Sequence, residues 1–125
     1  WLVHELAHAY EDRHPDIMSA INDAYRAAID GKIYQRAGLQ LLFLGSRSTI
    51  APIYAASNAS EYFAELTVAH LARNWDVPTD RMQLKRIDPR GHRLMMSVWG
   101  DNAGRRDAIS HATARKMTAC LVALR

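Results

Sequence analysis

Cys120 is the only cysteine in this chain of 125 residues, so no disulfide within the chain can hold it together. Its setting, Ala119-Cys120-Leu121-Val122, reads as a packed thiol, and one thiol leaves the compartment open. Long apolar runs are missing as well. Stretches such as residues 39–44 are too short to cross a bilayer, so no transmembrane segment is expected. Period-two alternation, internal repeats and low-complexity segments are also absent, which argues against an all-β or repeat architecture. Charge is not one-sided: 16 Lys and Arg face 13 Asp and Glu. The surplus lies late, in Arg81, Lys85, Arg86, Arg90, Arg93, Arg105, Arg106, Arg115 and Lys116, but acids interrupt it, and it reads as a solvated face. No nucleic-acid partner is expected. A helical nucleic-acid binder using this basic half is the rival reading, and salt-sensitive binding without zinc would mark it.

Glutamate is scarce too, with only four in the chain, and their positions are informative. One lies in His4-Glu5-Leu6-Ala7-His8, the H-E-x-x-H pattern by which a helix presents two imidazoles and a carboxylate to one zinc ion. Residues four apart share a helix face, so both rings can reach a single metal while Glu5 faces its water. With six His and four Glu, a chance match has odds on the order of 1%. Trp1-Leu2-Val3 before the motif and Ala9-Tyr10 after it predict a buried helix with its imidazoles in a dry pocket. The plainer reading is a core helix whose two histidines merely find hydrogen-bond partners.

Composition, 49% hydrophobic and 23% charged, fits one ordinary domain. The pattern predicts a first helix over residues 1–13, closed by Pro15, and a second starting at Pro15 and ending at Gly31. Ile17, Met18, Ile21, Tyr25, Ala28 and Ile29 form its apolar stripe. A short helix and a loop at Gly45-Ser46-Arg47-Ser48 follow. Asn58 opens a strong helix reaching Arg73; Thr79 caps one ending at Ile87; Asp88-Pro89 starts another that runs to Trp99, with Gly100 as its cap. A final amphipathic helix is expected after Asn102. The class is mainly α. Because the chain opens with Trp and enters the motif at once, it reads as the C-terminal helical part of a longer zincin-like α+β domain. The upstream sheet would then lie outside the chain, and such a fragment can hold metal without cleaving anything.

Catalytic zinc needs three protein ligands and an open position. His14 stands where the metzincin pattern has its last histidine, but position 11 is Glu rather than the glycine that turns the chain back. If the helix continues, His14 points away from His4 and His8. Glu61 and Glu65 are the better pair: one turn apart on one face, one can bind metal while the other supports an imidazole. A capping box from Asn58 to Glu61 accounts for part of that pattern without any metal. Yet Glu65, beside Phe63 and Leu66, would be costly on a buried helix without a partner. His70, His92 and His111 read as surface or supporting residues.

Together, His4 to His8 and Tyr-Ala-Ala-Ser-Asn-Ala-Ser-Glu-Tyr-Phe-Ala-Glu over residues 54–65 resemble the catalytic domain of the anthrax lethal factor type of zinc metallopeptidase, a gluzincin. The resemblance covers residues 1–100, with Asp88-Pro89, Leu94 and Trp99-Gly100 also matching. Residues 101–125 have no counterpart and are expected to pack as a helix on the same domain. The resemblance implies that Glu61 is the third zinc ligand, that Glu65 lies in the outer shell, and that Tyr54 helps to stabilise the reaction's oxyanion. It implies a Zn²⁺-dependent endopeptidase acting on a protein or peptide substrate, with Glu5 as general base. Export as a secreted enzyme fits the resemblance, while target bond and oligomeric state are left open. Two other readings share the site: a zinc-binding module without activity, and a bacterial peptidase that cleaves a transcriptional regulator.

Overall fold

The computed structural model describes residues 1–45 and 53–101, the side chains of 40–42 excepted. Six α-helices occupy the described residues: α1 Leu2–Arg13, α2 Met18–Asp30, α3 Ile33–Phe43, α4 Ala59–Leu71, α5 Arg81–Ile87 and α6 Pro89–Trp99. No strand occurs among them. The expected helix after Asn102, with Arg105, Arg106, His111, Arg115, Lys116 and Cys120, lies outside the described residues, as do Ser46 to Ser48 of the expected loop. No described helix is long and apolar enough to cross a membrane.

The centre of the molecule is α4. From Tyr62 to His70 every residue is buried, so this helix is covered on all sides by α1, α2, α5 and α6. Its start is fixed by Asn58, whose side chain accepts the Glu61 N–H at 2.9 Å. The helix stops at Leu71, two residues before the expected end.

Other boundaries depart from the sequence reading for local reasons. Residues 15–17 form a 3₁₀ turn rather than the first turn of α2. His14, preceding proline, is forced out of the helical region, and the chain recovers through the tighter Ile17 N–H to His14 carbonyl bond at 3.1 Å. Within α2, Ile21 and Ala28 of the stripe are buried, together with Ala24, while Ile29 stays 40% exposed. Asp80, not Thr79, caps α5: its carboxylate accepts the Gln83 N–H at 2.9 Å, and the Thr79 N–H donates back to Gln83 Oε1 at 2.7 Å.

Asp88 does more than cap α6. Although 1% exposed, it accepts the Gly91 N–H at 2.8 Å and the hydroxyls of Tyr34 at 2.9 Å and Tyr62 at 2.6 Å. Burial, followed by the Asp88 charge, raises both phenols well above their ordinary range. The cluster locks α3, α4 and α6 together through one carboxylate. Gly91 is required there, because a Cβ would lie 2.5 Å from the Tyr62 hydroxyl and 2.6 Å from Leu66 Cδ2.

α1 lies against α4, with His4, Ala7 and Glu11 buried at the contact. The apolar flank of the motif was expected to be covered, and this is corrected: Trp1 is 88%, Leu2 72% and Leu6 57% exposed. The helical period puts Leu2 and Leu6 on the face opposite His4 and Glu11, so only one side of α1 meets the core.

Candidate metal centre

Facing turns of α1 and α4 build the site. His4 and His8 stand one turn apart on α1, and their Nε2 atoms are 3.1 Å from each other. Glu61, in the first turn of α4, brings Oε2 to 3.0 Å from His4 Nε2 and 3.6 Å from His8 Nε2. These three side chains form the one group among the described residues whose ligand atoms converge closely enough to hold a metal ion. Zinc bound tetrahedrally at about 2.0–2.1 Å needs ligand atoms about 3.3 Å apart, so the spacing fits such an ion.

Proton positions strengthen that fit. His4 Nδ1 is 2.9 Å from Glu65 Oε1, and a carboxylate only accepts, so in the neutral imidazole Nδ1 carries the hydrogen and Nε2 presents a lone pair. His8 Nδ1 is 2.9 Å from Ser60 Oγ, whose own hydrogen is donated to Glu11 Oε2 at 2.6 Å. Ser60 therefore accepts from His8 Nδ1–H, and in the neutral ring His8 Nε2 is bare as well. Glu61 Oε2 is buried and receives no hydrogen bond, despite the closeness of His4 Nε2. Two lone pairs and a carboxylate oxygen thus face one point. Such an arrangement repels itself until a proton or a metal cation sits among its members.

The surroundings hold these groups in place. The His4 ring stacks on Trp1, with centroids 5.7 Å apart and planes at 8°. Glu65, 6% exposed, also accepts from the side chain of Asn74, so both of its oxygens are engaged. The expected cost of burying that carboxylate is thereby met by partners. Tyr54 stands in a 3₁₀ turn, 45% exposed, with its ring centroid 5.9 Å from His4. The negative charge of Glu61, ahead of burial and Glu65, raises the pKa of the Tyr54 hydroxyl. Glu5 adds the smallest part of that rise and lies on the exposed side of α1.

His14 is held apart. Its Nδ1 donates to the Tyr10 carbonyl at 2.8 Å and its ring stacks on Tyr10 at 3.8 Å, outside the converging group. Of the two places open to His70, surface or supporting, the fold excludes the surface: it is fully buried, and Nε2 donates to the Gly100 carbonyl at 3.0 Å. His92 is half-buried, and burial, then Arg81 and Lys85, lowers its pKa.

Sequence reasoning missed Ser60, Glu11, Asn74 and Asp76. Glu11 carried a signal, since it lies three residues after His8 on the same helix face. Asp76 accepts the Tyr54 N–H at 3.1 Å, a contact across 22 residues that no local pattern announces. No family model, curated protein or solved structure matches the chain.

Proposed function

We infer that this chain binds zinc through His4, His8 and Glu61 and hydrolyses peptide bonds, as the gluzincin resemblance implies. One observation carries the reading: three acceptor atoms, two from an H-E-x-x-H helix and one from a helix fifty residues later, meet within 3.0–3.6 Å. The capping-box account of Glu61 explains its backbone, whose N–H is taken by Asn58. It does not explain why the carboxylate turns inward to meet two imidazoles.

Zinc, when bound, supplies Lewis-acid activation of water and of the scissile carbonyl. The remaining work falls to the protein. Glu5 takes the proton of the attacking water and passes it to the departing amine. The Tyr54 hydroxyl, kept protonated by the carboxylates around it, donates to the oxyanion that develops on the carbonyl. Glu65 and Ser60 keep both imidazoles in the tautomer that leaves Nε2 free. A zincin-like grip on substrate calls for a β-edge, which belongs to the proposal and not to the described helices.

Glu5→Gln tests the reading. Wild-type protein is expected to cleave members of a fluorogenic peptide library in a zinc-dependent way, and the variant to keep one zinc per chain without cleavage. Turnover retained by Glu5→Gln would remove Glu5 from the chemistry. Stoichiometric zinc with no cleavage by the wild type would favour a binding module instead.

A further inference from the structure

Ser60 and Glu61 are neighbours in the first turn of α4, yet they reach opposite edges of one imidazole. Glu61 Oε2 approaches His8 Nε2 at 3.6 Å, while Ser60 Oγ meets His8 Nδ1 at 2.9 Å. Behind Ser60 stands Glu11, 6% exposed, accepting the hydroxyl proton at 2.6 Å. Glu11 itself lies 3.8 Å from His8 Nδ1, beyond hydrogen-bond reach, so its influence on the ring passes through the hydroxyl.

We propose that Ser60 and Glu11 form a hydroxyl–carboxylate relay that positions His8 and fixes its tautomer for metal binding, independently of the Glu65 contact that serves His4. The metal-binding part rests on the reading of the site given above. A serine hydroxyl can donate to or accept from an imidazole, so alone it does not select a tautomer. The buried Glu11 carboxylate removes that freedom. It draws the hydroxyl proton towards itself, leaving Oγ to accept, and His8 must then hold its hydrogen on Nδ1 and expose the Nε2 lone pair. A short O–H···O⁻ bond of this kind is among the stronger hydrogen bonds in proteins. Ser60 is thus a positioning residue: its hydroxyl is committed to Glu11 and His8 and takes no part as a nucleophile. The two histidines receive different support, a direct carboxylate for His4 and a relayed one for His8, so they can be perturbed separately.

The test uses the full chain. Imidazole ¹⁵N spectra of metal-free protein at about pH 8.5, where ordinary imidazoles are neutral, report each tautomer. Wild type should show Nδ1–H at both His4 and His8. Ser60→Ala should populate the Nε2–H form at His8 alone, with His4 unchanged, and weaken zinc binding by about 10–100-fold in a chelator competition. Ser60→Thr should restore both. Glu11→Gln, which keeps side-chain shape and guards against misfolding of the alanine variant, should shift the His8 tautomer in the same direction. An unchanged His8 tautomer in Ser60→Ala and Glu11→Gln would overturn the relay. So would an equal disturbance of both histidines, which is what general loosening of α4 would give. Wild type that takes up no zinc, yet shows the His8 shift, would contradict the metal reading and leave the relay standing.

Discussion

Glu61 and Glu65, one turn apart on α4, take opposite edges of a single imidazole: Glu61 Oε2 lies 3.0 Å from His4 Nε2 and Glu65 Oε1 lies 2.9 Å from Nδ1. One helix therefore supplies both a group that can share a metal with His4 and the acceptor that orients the ring. The division follows from burial. Glu65 is enclosed, with both oxygens engaged, whereas Glu61 keeps one buried oxygen that receives no hydrogen bond.

Glu65→Gln should weaken zinc binding by about 10–100-fold without unfolding the protein, because the amide keeps the shape of the side chain but loses the charge that favours Nδ1–H. Chelator competition and circular dichroism check this together. Unchanged affinity would reduce Glu65 to a packing role.

Asp80→Ala should lower stability by about 1 kcal/mol at neutral pH, the usual worth of a helix N-cap. The effect depends on pH. The hydrogen bond from the Gln83 N–H, ahead of every other cause, holds the Asp80 carboxyl below its ordinary value of 3.8 in the fold. A depressed folded value means that the contribution is present above 3.8 and is lost as pH falls through the folded value. Urea unfolding of wild type and variant at pH 7 and in acid should show the difference shrinking. A gap that widens in acid would contradict the capping role.

Gly91→Ala should cost about 1–3 kcal/mol, the range for overpacking a tight interior, because the added methyl meets Tyr62, Asp88 and Leu66 at 2.5–2.6 Å. The shift is read from urea midpoints. Zinc affinity should hold, since the clash lies on the α6 side of α4. Wild-type stability in this variant would contradict the close approach of α6 to Tyr62.

Local signals made much of this legible from sequence. Pro15 ended α1, Asn58 and Asp88-Pro89 opened α4 and α6, and Gly100 closed α6 with a positive φ of 69°, which favours glycine. The helical spacing of His4 and His8 and of Glu61 and Glu65 anticipated which side chains share a face, and the folded chain brings three of those four atoms' owners into one metal-sized group with His14 excluded. What escaped was whatever depends on tertiary approach. Ser60 is unremarked in sequence until α1 delivers His8 beside it, and Asp88 looks like an ordinary cap until two tyrosine hydroxyls arrive from α3 and α4. Trp1 and Leu2 are exposed, against the sequence reading, because apolar character alone does not disclose which side of α1 faces the core.

The central claim is that two imidazoles and the Glu61 carboxylate share one cation. Calorimetric titration of the metal-free chain with zinc, alongside Glu61→Ala and His8→Ala, tests it most directly. One ion per wild-type chain is predicted, with affinity lowered by at least about 100-fold in either variant, more than the loss of a supporting residue produces. Wild-type protein that takes up no zinc, or a Glu61→Ala variant that binds it as tightly as wild type, would contradict the account.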